Sequence, residues 1–213
     1  MDVMERCNLR APRVAASFLT RCISSSAREL SVNKVANEFK SRGVLTSRET
    51  LSNLIRYYEE AYLVFSLGDL SHPLADNPRS SSEVYAVGPG MFASFSRAAT
   101  REEGQRLETA AFDKLLRTAP TACSGSLARL TFEHEGSAHE VDFVMGDALL
   151  GDVYELVRAS VDLANPKTRL REISALESAM ERHGIDESTI VMMDTEETVQ
   201  VDSGNVRVVT AWK

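Results

Sequence analysis

Apolar positions recur three and four residues apart at Val14, Phe18, Leu19, Cys22 and Ile23. That spacing predicts a helix within residues 11–29. Val35, Ala36 and Phe39 repeat it behind Ser31, whose hydroxyl suits the cap of a helix running to about Lys40. Gly43 interrupts the pattern. A second short helix follows, capped by Thr46 or Ser47, with Glu49 placed to close a capping box from Thr46. Its apolar stripe is Leu51, Leu54, Ile55 and Tyr58, and the run AYLVFSL after it predicts a strand. Residues 67–83 are polar and rich in Pro, Ser and Asp, which predicts a loop or linker.

Beyond the linker, VYAV at 84–87 predicts a short strand, and residues 101–118 a helix with Leu107, Ala111 and Leu115 on one face. A Pro/Ser/Gly break at 120–126 follows. SLARLTFEHE and SAHEVDFVMGD flank Gly136 as a hairpin, and GDVYELVRASVDL predicts a third strand. NPKTRLREISALESAMERHG predicts a long helix, with Asn165 as cap, Pro166 in its first turn and Gly184 at its end. STIVMMD predicts a buried strand, and TVQVDSGNVRVVTAWK a last hairpin turning near Ser203–Gly204. No internal repeat is visible.

Two helices about a glycine turn, then a strand, predict a winged helix-turn-helix. The expected architecture is therefore α/β (α+β): a helical winged-helix module over 1–70, a linker over 71–83, and a mixed-sheet domain over 84–213.

At 213 residues the chain can bury a sizeable core, and 43% hydrophobic with 26% charged residues is an ordinary globular balance. No run of about eighteen apolar residues occurs, which predicts no membrane contact. The opening MDVMERCNLR lacks the apolar core of a secretory leader. Cys7, Cys22 and Cys123 are odd in number and widely spaced, as reduced thiols are, which predicts a cytoplasmic protein. Cys123 has no histidine near it in sequence and reads as an ordinary loop thiol rather than a nucleophile. The net charge of −7 argues against a protein that coats nucleic acid. Residues 1–70 hold ten basic and eight acidic residues, leaving fourteen and twenty-three for 71–213, so the first third is the better candidate for DNA contact. Ser47, Arg48, Thr50, Asn53 and Arg56 carry the donors of a recognition helix, against Glu59 and Glu60 at its end. The alternative is a protein-docking module with a solvated face.

The stretch HEVDFVM, 139–145, places Asp142 between two core-type residues. A helix, three strands, a helix and a strand is the core order of restriction-endonuclease-like folds. Their chemistry gathers carboxylates around Mg²⁺ beside a lysine that orients water. The matching positions are Asp142 on the second strand, Glu155 on the third and Glu108 on the helix. Asp142 and Glu155 are the candidate catalytic pair, with Glu108 joining them as a metal ligand.

The chain resembles the C-terminal portion of a family of bacterial and archaeal AAA-superfamily ATPases that end in a winged helix and a nuclease-like domain of unknown function. The resemblance rests on VNKVANEFKSRGVLTSRETLSNLIRYYEEAYLVFSL, RLETAAFDKLLR, HEVDFVMGD and VDLANPKTRLREISALESAMERHGIDESTIVMMDTEETVQV, and covers almost the whole chain. The opening falls where the family's ATPase half would just have ended. No G-x-x-x-x-G-K-[ST] loop occurs, so no ATP hydrolysis is expected. The family's Y-x-x-D reads YAVG, with Gly88 where an acid is common. Aligned back from NPKTR, the family's third-strand acid falls on Arg158 and its lysine on Ser160; with Glu155 as the acid, Val157 takes the lysine place. Strand alternation puts Glu155 and Arg158 on opposite faces.

The resemblance thus implies an accessory module of an AAA-type ATPase system with a degenerate nuclease-like domain, in which Asp142 pairs with Arg158. No cofactor is expected, and its partners would be DNA, an ATPase or another protein. The alternatives are a Mg²⁺-dependent DNA nuclease and a winged-helix DNA-binding regulator. His134 and His139 face each other across the hairpin as a metal pair or, beside Glu133, Glu135 and Glu140, as a surface pair. Arg169, Arg171 and Glu172 read as parts of an ordinary amphipathic helix. SLARLTFEHE offers an edge strand to another protein.

Overall fold

The computed structural model describes residues 12–70, 82–95, 103–118, 127–134, 136–147 and 152–212. The chain is α+β and divides into two compact units.

The first unit holds the described residues 12–67 and 82–95. Its elements are α1 (Pro12–Ser24), β1 (Arg28–Leu30), α2 (Val32–Ser41), α3 (Arg48–Glu60), β2 (Val64–Leu67), β3 (Ser82–Ala86) and α4 (Pro89–Phe95). Ser31 caps α2 by accepting the Lys34 amide, and Ser47 caps α3 by accepting that of Thr50 at 3.0 Å. Thr46 therefore is not the cap, and its hydroxyl is buried. The stripes of α1, α2 and α3 close on one core of Phe18, Ile23, Val35, Leu51, Leu54 and Tyr58. The Tyr58 hydroxyl donates to the Ala15 carbonyl at 2.6 Å, so the ring's polar end is satisfied inside that core.

The strands form an antiparallel sheet in the order β1-β3-β2, with Val64 opposite Ala86 and Leu30 opposite Ser82. The boundary between the units falls later than the sequence predicts. The sequence places VYAV in the second domain, but Val84, Tyr85 and Ala86 are buried between β1 and β2 and complete the first unit's sheet. Gly88 follows that strand with φ +85°. Conversely, Gly68–Leu70 belongs to the second unit, where Arg129 exchanges two backbone hydrogen bonds with Gly68 and Leu70.

The second unit runs α5 (Glu103–Thr118), β4 (Leu127–His134), β5 (Ser137–Asp147), β6 (Asp152–Ala159), α6 (Pro166–His183), β7 (Glu187–Met192), β8 (Glu197–Val201) and β9 (Gly204–Thr210). Its six strands lie in the order β4-β5-β6-β7-β9-β8. The first three form an antiparallel meander, β6, β7 and β9 are parallel, and β8 returns antiparallel to β9. Asn165 caps α6 and Gly184 ends it in the left-handed conformation at φ 66°. Leu176, Ala179 and Met180 of α6 pack on Val144, Leu156, Ile190 and Val206 of the sheet. Phe143 and Val157 alternate to the other face, where Phe143 meets Phe112 of α5 with ring centres 6.2 Å apart.

Candidate functional site: a buried carboxylate–guanidinium cluster

Asp142 sits at an irregularity in β5. Ala128 pairs with Val144 and Leu130 with Val141, so Arg129 stands opposite both Asp142 and Phe143. The β5–β6 ladder ends at the pair Phe143 and Val157. Beyond it, Asp142 Oδ2 accepts the Ala159 amide at 2.7 Å, so the side chain holds the two strands where the ladder has stopped.

Arg158 lies next to this carboxylate with its Nη2 3.6 Å from Asp142 Oδ1. Its Nε is 2.6 Å from Glu172 Oε2, and its Nη1 donates to the Glu140 carbonyl. Glu172 Oε1 in turn meets Arg171 Nη2 at 2.6 Å. On the far side of β5, Arg129 lies 3.5 Å from Asp69 and 3.7 Å from Glu140, and the Thr131 hydroxyl donates to Asp69. The side chains of Asp142, Arg158 and Glu172 are 13%, 11% and 4% exposed, so solvent screens their charges little.

Burial pushes the Asp142 carboxyl up from its ordinary range to about 6. Arg158 and the Ala159 amide oppose the rise, and the neighbouring Glu172 and Glu140 add to it. Two acids thus share the guanidinium of Arg158, and Asp142 is the one less well compensated. Chemically the cluster is an internal ion-pair network. The positive charge that two clustered carboxylates require is covalently attached to the chain.

Glu172 is the residue that sequence reasoning missed. Its neighbours in sequence predict an ordinary amphipathic helix, yet it is 3% exposed. The signal was present. Glu172 precedes Ala175, Leu176 and Ala179 by three, four and seven residues, which puts it on their buried stripe. Glu155 pairs with Met145 on the face opposite Leu156 and Arg158. Glu108 lies half-buried on α5, between the buried Leu107 and Thr109. Among the described residues, no three His, Cys, Asp or Glu side chains stand where they could hold a metal ion together. Ser160, at the lysine position of one alignment, is buried and its hydroxyl turns to the Asp162 carbonyl at 3.5 Å. Val157, at that position in the other, is part of the core.

In the first unit, α3 buries Leu51, Leu54 and Tyr58 and exposes Ser47, Arg48, Thr50, Asn53 and Arg56. The hydroxyls of Ser47 and Thr50 lie 2.9 Å apart and engage each other. Arg56 is 3.9 Å from Glu60 and stands over the Tyr57 ring at 5.4 Å. Glu59 turns inward instead, accepting the Ser66 amide at 2.9 Å. Cys22 is a buried free thiol that burial pushes up to about 12, so it carries no thiolate chemistry. Cys7 and Cys123 lie outside the described residues.

No protein-family model matches the chain, and no solved structure does. The chain is similar to an uncharacterized protein of Methanocaldococcus jannaschii, 28% identical over 218 residues. The match covers 100% of this chain and 46% of that protein, so the chain spans about half the length of the curated relative it matches. Among the described residues, no helix is long and apolar enough to cross a membrane.

Proposed function

We propose that the chain is an accessory module of a cytoplasmic AAA-type ATPase system, a winged helix joined to a restriction-endonuclease-like domain that does not cleave nucleic acid. The observation that carries this reading is Arg158. Its guanidinium lies between Asp142 and Glu172, at a position where the resemblance puts an acid. A metal-dependent nuclease needs carboxylates free to coordinate, and a cation beside the attacked phosphate. Here the carboxylates are already engaged by an arginine, and the lysine positions hold Ser160 and Val157. The order of α5, three strands, α6 and β7 supports the nuclease-like ancestry, and the order α1-β1-α2-α3-β2-β3 supports the winged helix.

Binding is the function left to such a module. The outer face of α3 supports DNA as one partner: Arg48, Thr50, Asn53 and Arg56 are all exposed there. Its charge is mixed, because Glu49 and Glu60 share the surface. The complex should therefore be weak and salt-sensitive, with the two arginines acting on phosphates. A gel-shift titration of duplex DNA in Mg²⁺ at rising salt tests both halves of the proposal, reading the complex and the integrity of the DNA together. The expected result is a retarded complex that weakens as salt rises, intact DNA, and reduced binding by Arg48→Ala plus Arg56→Ala. Affinity unchanged in the double variant would refute the α3 placement, and shortened DNA would refute the non-cleaving reading.

A further inference from the structure

We infer that the hairpin of β4 and β5 carries a site for a borderline transition-metal cation of the Zn²⁺ or Ni²⁺ class, held by His134 and His139. The hairpin turns at Gly136, with His134 opposite Ser137 and Phe132 opposite His139. This register puts both imidazoles on one face as diagonal neighbours. Their ring centres are 6.2 Å apart and the planes stand at 69°. Two imidazoles on one tetrahedral Zn²⁺, with metal–nitrogen bonds of about 2.0–2.1 Å, need ring centres about 5 Å apart. A gap of about one ångström is within the reach of side-chain rotation.

Three further observations favour a cation here. Phe132 stacks beneath His139 at 5.4 Å and 22°, which fixes one ligand ring before any metal arrives. Both histidines open into a groove of about 770 Å³ between the hairpin, α6 and the β8–β9 turn. The groove wall carries the acids Glu177, Glu181 and Asp202. Glu177 is engaged by the Asp202 amide at 3.0 Å, whereas Glu181 is exposed on the helix. The two histidines supply the protein's ligands, and water completes the shell. Imidazole selects Zn²⁺, Ni²⁺ or Cu²⁺ over Mg²⁺, so this site is chemically distinct from the carboxylate cluster around Asp142.

The test is a zinc titration of the full chain, followed by calorimetry and by the ring-nitrogen NMR signals of the four histidines. Saturation at one equivalent is expected, with the His134 and His139 signals moving together. His134→Gln and His139→Gln should each weaken binding at least about tenfold while the far-ultraviolet circular dichroism stays unchanged. Absence of saturable binding would overturn the inference. So would binding that leaves these two ring signals unmoved in the wild-type chain, which needs no variant to fold.

Discussion

Arg158→Ala is expected to destabilise the second unit by about 3–5 kcal/mol at neutral pH, because it leaves two buried acids without their shared cation. Arg171 would still meet Glu172 at 2.6 Å and act on Asp142 from farther off, while Asp142 would keep its hydrogen bond from the Ala159 amide. The loss should shrink on acidification, as Asp142 takes up a proton. It should also shrink when the charge excess is removed genetically, so Arg158→Ala combined with Glu172→Gln should recover part of the stability. Urea unfolding of the single and double variants measures both effects. An Arg158→Ala protein as stable as wild type would mean that the guanidinium does not neutralise the cluster.

Asp142→Asn should have the opposite sign. The folded carboxyl, raised from 3.8 to about 6, binds its proton more tightly than the unfolded one. Below about pH 4 both states are protonated and Asp142 costs nothing. As pH rises between the two values only the unfolded chain gives up the proton, so stability falls. Above about pH 6 the whole cost of the buried charge is present. A shift of this size corresponds to at most about 3 kcal/mol, and to less once partial solvent access is counted. Asn keeps an oxygen for the Ala159 amide and drops the charge. The variant is therefore expected to be more stable than wild type by about 1–3 kcal/mol near pH 8, with the gap closing toward pH 4. Parallel denaturation curves across that range provide the check. A variant less stable than wild type at all pH values would place the carboxylate among the stabilising charges instead.

That sign differs from the simplest expectation for a charge pair, which is that losing Asp142 strands Arg158. Arg158 keeps Glu172 at 2.6 Å, closer than the 3.6 Å that separates it from Asp142. The pairing of Asp142 with Arg158 was legible in the sequence, because the alignment that put Arg158 at an acid position brings it onto the neighbouring strand. Glu172 was not, because a carboxylate in a helix dense with Arg and Glu looks solvated until the stripe through Ala175, Leu176 and Ala179 is traced back one further turn.

The elements themselves were largely readable. Ser31, Asn165 and Gly184 are local signals acting within a few residues, and they act in the structure as their chemistry requires. The domain boundary was harder, because strand pairing is non-local. Nothing within VYAV says that its partners are Arg28–Leu30 and Val64–Leu67 on the far side of a polar insertion. Faces followed the same rule. Alternation separated Glu155 from Arg158 correctly, but the irregularity at Asp142 and Phe143 is set by pairing with Arg129 on β4, which the sequence of β5 alone does not disclose.

On the proposed reading, Arg158 stands where a metal-dependent nuclease would need its carboxylates free. Incubation of supercoiled plasmid with the wild-type chain and with Asp142→Asn, in Mg²⁺ and in Mn²⁺, tests it most directly. The plasmid is expected to stay supercoiled with both proteins. Nicking by wild type that disappears in an equally folded Asp142→Asn would contradict it and make Asp142 a catalytic residue.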